Sequence, residues 1–126
     1  DRKKNIIRRS GENIAAIEVE ASLLSLTGIR NAAVCAYPHK IYEEEVLAFI
    51  ILKDNKNKCI KYAKNIINNL KKKLSYYKLP AYISFTDSLP ITSSQKIMKK
   101  DLIKQIKNRN TDNFYDLSEF KRSLNN

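Results

Sequence analysis

Between Glu45 and Lys53 the chain runs through Val46-Leu47-Ala48-Phe49-Ile50-Ile51-Leu52 without one polar side chain. A run this short and this apolar suits a strand buried on both faces. The acidic triplet Glu43-Glu44-Glu45 opens the segment and lacks partners at metal-binding spacing, so it reads as a surface feature at the strand's edge. Downstream, Lys58 to Leu74 follows the 3.6-residue period of an amphipathic helix. Cys59, Ala63, Ile66, Ile67, Leu70 and Leu74 form its apolar face, and Lys61, Lys64, Lys71 and Lys72 lie mainly on the wet ones.

The remaining elements are shorter. Asn5 to Arg9 reads as a strand, Ser10-Gly11 as a turn, and Glu12-Asn13-Ile14 as the second arm of a hairpin. Ala15 to Ser25 reads as a helix with Ile17, Ala21 and Leu24 as its apolar stripe. Glu18 and Glu20 suit the positive end of its dipole, and Gly28 is expected to end it. Ile29 to Tyr37 reads as a strand stopped by Pro38, and Tyr82, Ile83 and Phe85 form another beyond Pro80. Asp87 to Gln95 reads as a loop, Lys96 to Ile106 as a short helix, and 107–126 as a polar tail. In that tail Phe114, Tyr115 and Leu117 are expected to anchor on a larger partner. The order implies an α+β fold, a small, mostly antiparallel sheet with an N-terminal hairpin, packed on one side by helices.

The 126 residues suit one domain. The net charge of +11 invites a nucleic-acid reading, yet no zinc spacing, aromatic-basic signature or recognition-helix pattern accompanies it. A solvated lysine face accounts for it more simply. No apolar run approaches the roughly 18 residues of a membrane span, and the charged start Asp1-Arg2-Lys3-Lys4 does not read as a signal peptide. With no initiator Met, the chain is expected to be a fragment of a longer, cytoplasmic protein. Cys35 and Cys59 sit at core-like positions and read as buried thiols, and His39 as a surface residue. Only Gly11 and Gly28 are present, too few for a phosphate-cradling loop, and no metal ligands or catalytic set can be assembled.

Two blocks of sequence change the functional expectation. The first is Asp1-Arg2-Lys3-Lys4-Asn5-Ile6-Ile7-Arg8-Arg9-Ser10-Gly11-Glu12-Asn13-Ile14 with Glu18-Val19-Glu20. The second is Thr92-Ser93-Ser94-Gln95-Lys96-Ile97 with the basic Lys99-Lys100. With Lys78-Leu79-Pro80 and Leu89-Pro90 between them, they resemble the C-terminal domain of acyl-CoA synthetases in the adenylate-forming superfamily. The resemblance covers nearly the whole chain. The tail around Thr111-Asp112-Asn113-Phe114-Tyr115-Asp116 is similar to an extension in crotonobetaine/carnitine-CoA ligase-like enzymes.

That resemblance implies the mobile lid of a ligase whose large N-terminal domain binds ATP, with its Mg2+, and the carboxylic acid. Its partners would be that domain, the acid, ATP and CoA, in fatty acid or carnitine metabolism, with no nucleic acid. Lys96 matches the lysine that reaches the reacting carboxylate and phosphate oxygens as acyl-AMP forms. Lys4 falls at the family's hinge and Arg2 at a ribose contact. Arg8, Arg9, Ser10, Gly11 and Glu12 lie on the hairpin that faces CoA in the second, thioester-forming pose. Four departures stand out: Gln95 where the family carries Gly, Ser10 for the first of a Gly-Gly pair, Ala16 for a Pro, and no Asp and Gly near Pro38. The other readings are the lid of an enzyme that loads a carrier protein, and a stand-alone basic binding module.

Overall fold

The apolar run forms the centre of strand β4 (Glu43–Leu52), around which the sheet assembles. The computed structural model describes residues 6–54, 59–86 and 114–124. Arg2, Lys4, the 87–95 loop, Lys96 and the helix expected at 96–106 lie outside the described residues. In chain order the elements are β1 (Ile6–Arg9), β2 (Glu12–Ala15), α1 (Ala16–Leu24), β3 (Ile29–His39), β4, α2 (Ile60–Leu70), a 3-10 turn at Tyr76–Lys78, β5 (Tyr82–Phe85), β6 (Phe114–Asp116) and α3 (Ser118–Ser123).

β3 runs antiparallel along β4 from Ile29 opposite Leu52 to His39 opposite Glu43. Glu43 also pairs with Arg9 of β1, and Leu47 to Ile50 pair in parallel with Tyr82 to Phe85 of β5. Since a strand has two edges, β1 and β5 share the edge of β4 that faces away from β3. β6 extends the sheet beyond β5, antiparallel to it. Of the described strand pairs only β4 with β5 is parallel, so the α+β, mostly antiparallel expectation holds.

Successive residues of a strand point to opposite faces, and the core divides accordingly. Ala32, Val34, Val46, Ala48, Ile50, Leu52, Ile83 and Phe85 pack with the buried stripes of the helices. Ala33, Cys35, Leu47, Phe49 and Tyr82 form a second cluster with Tyr37 and Phe114. The apolar run therefore feeds both faces, as a doubly buried strand must. Among the described residues no helix is long and apolar enough to cross a membrane.

Several expectations are corrected. β3 does not stop before Pro38 but runs on to His39. The N–H of Val34 is donated to a carboxylate oxygen of Glu20, at 2.7 Å, so it points away from β4. Pro38 has the same parity, and its missing N–H removes nothing from the ladder. α1 turns Ala16, Val19 and Leu23 inward and leaves Ile17 and Leu24 about half exposed, the reverse of the expected stripe. The nine residues AIEVEASLL carry two possible apolar stripes. β2 passes into α1 without a loop, and the buried Ile14 fixes the rotation.

Gly28 is not a helix cap in the left-handed region: a Cβ there would lie 1.9 Å from the Tyr62 hydroxyl, so its role is to leave space. α2 buries Ala63, Ile66, Ile67 and Leu70 as expected, with Leu74 just beyond it. Cys59, however, is exposed at its N-terminal boundary, while Cys35 is buried, and neither forms a disulfide. The expected tail anchors also pack within this domain. Phe114 and Tyr115 pack on the two faces of this sheet and Leu117 enters the core.

Candidate functional site

The hairpin is a two-residue turn between Arg9 and Glu12, which pair across it. Ser10 and Gly11 both have positive φ, 51° and 86°, the combination a type I′ turn requires. Glycine takes such angles freely; serine does so at some cost. The alternation of β1 sends Ile7 and Arg9 inward and Ile6 and Arg8 outward. Arg8, Ser10, Gly11 and Glu12 are all exposed and form the rim of the turn, whereas Arg9 is only 7% exposed.

The turn is tied to the β3–β4 connection. The Ser10 N–H is donated to the Tyr42 carbonyl at 2.9 Å, and the Arg8 N–H to a Glu44 carboxylate oxygen at 2.8 Å. That connection is itself braced by His39, whose Nδ1 accepts the N–H groups of Ile41 and Tyr42, each at 3.1 Å. In the neutral ring this assigns the proton to Nε2. The His39 ring also stacks on Tyr42, so this residue is a structural brace rather than a bare surface side chain.

Behind the turn lies a buried ionic cluster. Arg9 Nε donates to Glu45 Oε2 at 2.8 Å, and Lys121 Nζ donates to Glu45 Oε1 at 2.8 Å and to the Tyr77 carbonyl at 3.1 Å. Glu45 and Lys121 are each 1% exposed. The Arg9 guanidinium lies 4.0 Å from the centre of the Tyr42 ring, a cation–π contact. Glu45 is therefore not the surface feature expected of an acidic triplet: charge pairing carries it inside, because a buried carboxylate needs cations and donors. A small cleft of about 60 Å³ opens beside the cluster, lined in part by His39, Tyr42 and Arg122.

The electrostatics follow from burial. For Arg9, burial alone would lower the pKa, but the hydrogen bond and charge of Glu45 outweigh it and hold the guanidinium above its ordinary value. For Lys121 burial dominates and lowers the pKa to about 8, against the pull of Glu45 and with the nearby charge of Arg9 acting in the same direction as burial. The two cations move in opposite senses because burial outweighs the pull of Glu45 at Lys121 and is outweighed by it at Arg9. Among the described residues no group of His, Cys, Asp or Glu is arranged to hold a metal.

Of the residues singled out from the sequence, the structure gathers Arg8, Ser10, Gly11 and Glu12 on one rim and sets Arg9 beneath it. Arg2, Lys4 and Lys96 lie outside the described residues. Sequence reasoning missed Glu45, Lys121 and Tyr42. Glu45 had one usable signal, its place directly against the apolar run; Lys121 had none, being one more lysine in a polar tail.

Comparison with known proteins gives a consistent set of similarities. A family model described as the AMP-binding enzyme C-terminal domain matches residues 18–96. Over 102 residues the chain is 41% identical to a peroxisomal trans-cinnamate:CoA ligase of Petunia hybrida, across 81% of this chain and 17% of that enzyme. It is 36% identical over 107 residues to a probable CoA ligase of Humulus lupulus, across 82% of this chain and 19% of the other. Among solved structures, an acyl-CoA synthetase of Brucella canis matches with a TM-score of 0.77 at 32% identity, over 86% of this chain and 20% of that one. The chain thus spans about a fifth of the length of the proteins it matches.

Proposed function

The chain belongs to the AMP-binding enzyme C-terminal domain family, and from that premise we propose that it is the mobile lid of an ATP-dependent carboxylic acid–CoA ligase. The observation that carries this reading is the family match running to Lys96, joined to a hairpin whose rim is open to solvent. The relatives named above are CoA ligases and a synthetase, which supports free CoA as the acceptor over a carrier-bound pantetheine and gives a nucleic-acid module no support.

In the first pose Lys96 enters the active site of the large domain. An ammonium on a long, flexible stem can meet the negative charge that gathers on carboxylate and phosphate oxygens as acyl-AMP forms. Arg2 contacts the ribose, and Lys4, two positions ahead of β1 in the sequence, absorbs the change of backbone angle as the lid turns. In the second pose the rim of Arg8, Ser10, Gly11 and Glu12 faces CoA. The small Ser10-Gly11 turn lets the pantetheine arm pass close to backbone, and Arg8, exposed where Arg9 is buried, is the arginine able to meet a phosphate. Arg9 holds the turn from behind. Magnesium arrives with ATP on the large domain's side, and no residue of this chain is assigned to it. The tail similarity makes carnitine- and crotonobetaine-like acids the first substrates to offer.

The test uses the full-length enzyme with its two half-reactions measured apart. Lys96→Ala should slow acyl-AMP formation by about two to three orders of magnitude. Thioester formation from supplied acyl-AMP and CoA should be far less affected. An equal fall in both steps would overturn the role given to Lys96.

A further inference from the structure

We infer that Lys121 and Glu45 are positioning residues for the hairpin turn, so that the C-terminal segment 114–124 sets where Ser10 and Gly11 stand. This rests on the reading of that turn as the CoA-facing rim. Among the described residues, the backbone ties the hairpin to β4 and the connection before it through one register pair, Arg9 with Glu43, and one hydrogen bond, from the Ser10 N–H to the Tyr42 carbonyl. Ile7 and Ile14 anchor the body of the hairpin in the core, but apolar packing is non-directional and leaves the turn free to tilt.

Direction comes from the polar chain of contacts. Arg9, the residue before the turn, is held by Glu45 Oε2, and Lys121 holds Oε1 of the same carboxylate, so both oxygens of Glu45 are engaged from opposite ends of the sequence. Lys121 is fixed in turn by the Tyr77 carbonyl and by the seating of α3. Leu117, just before that helix, is buried, and its N–H is donated to the Ala81 carbonyl at 2.7 Å. A second tie runs from the Arg9–Tyr42 contact through the Tyr42 carbonyl to the Ser10 N–H. The contacts join residues 36 and 76 positions apart, so the last helix braces the first hairpin.

The experiment measures both half-reactions in the full-length enzyme carrying Lys121→Met. This variant leaves the Glu45–Arg9 pair intact and so keeps a paired carboxylate in the interior. Thioester formation from supplied acyl-AMP should fall by roughly ten- to a hundredfold, the cost of a turn misplaced by about 1 Å, while acyl-AMP formation changes less than about twofold. Lys121→Arg, which keeps the cation, should recover most of the rate. An unchanged thioester step, or equal losses in both steps, overturns the inference. Should Lys121→Met fail to fold, Glu45→Asp, which keeps the charge and shortens the reach, is expected to give the same split, and an unchanged rate there is equally fatal. Arg8→Ala and Gly11→Ala separate the two levels of the argument. If they slow the thioester step and Lys121→Met does not, positioning alone is lost; if they also leave it intact, the reading of the rim falls and the inference with it.

Discussion

The β3–β4 body and the hairpin corner solve the same problem by different means. In the body, Val34, Ala48 and Ile50 are all fully buried, and cross-strand pairing continues without a break from Asn31 to His39. Burial there is additive and tolerant of detail, because apolar contacts have no required direction. In the corner, the buried groups are Arg9, Glu45 and Lys121. Their stabilisation depends on each partner being present and correctly aimed, since an unpaired buried charge costs several kcal/mol. The body is thus a platform tolerant of detail, and the corner a segment held in a set direction.

The comparison can be broken at four points, taken from the largest expected effect. Glu45→Gln leaves Arg9 and Lys121 buried together without their carboxylate and should cost about 3–5 kcal/mol in denaturant unfolding of the chain. A loss below about 1 kcal/mol, the level of surface pairs, would mean that the corner does not depend on charge.

The pH profile comes next. Lys121 gives up its proton near pH 8 when folded and near its ordinary 10.5 when unfolded. Between those values the unfolded chain binds more protons, so the contribution of Lys121 raises stability as pH climbs, by at most about 3 kcal/mol. Below pH 8 the burial penalty is constant. The slope between pH 8 and 10 should therefore be more positive in the native chain than in Lys121→Met, and identical slopes would contradict the assignment.

Gly28→Ala probes the body by shape alone. Its new methyl meets the Tyr62 hydroxyl, and the chain should lose about 1–3 kcal/mol by overpacking. Tyr62→Phe removes that hydroxyl and should restore part of the loss when the two changes are combined. Ser10→Gly acts on the turn and should stabilise it by about 1 kcal/mol, by relieving the left-handed serine. No gain in the unfolding midpoint would mean the serine is compensated locally.

Part of this architecture is legible in the amino-acid sequence. The hairpin, α2 and β4 are readable because each is specified by neighbours in sequence: a turn pair with flanking strands, a 3.6-residue period, an unbroken apolar run. The rim residues Arg8, Ser10, Gly11 and Glu12 are found from their resemblance to a known segment, and all four are exposed around the turn. Other assignments fail where two local solutions are equally good. α1 offers two apolar stripes, and only docking to the sheet selects Ala16, Val19 and Leu23. Cys59 matches the period of α2 but stands at its N-terminal boundary, exposed to water. Pro38 ends a strand by default and continues one here because its nitrogen faces away from the ladder.

By itself, then, the sequence determined most of the elements, the mostly antiparallel sheet and the family, because propensity, periodicity and motif are local quantities; β6 and α3, in the segment that reads as a polar tail, it did not. Tertiary structure alone decided which charges go inside. Glu45 differs from Glu43 and Glu44 only in standing directly against the apolar run, and nothing near Lys121 separates it from the other lysines. A charge can be buried only where an opposite charge arrives from elsewhere in the fold, and that meeting depends on strand order and the seating of the last helix rather than on any neighbour in sequence.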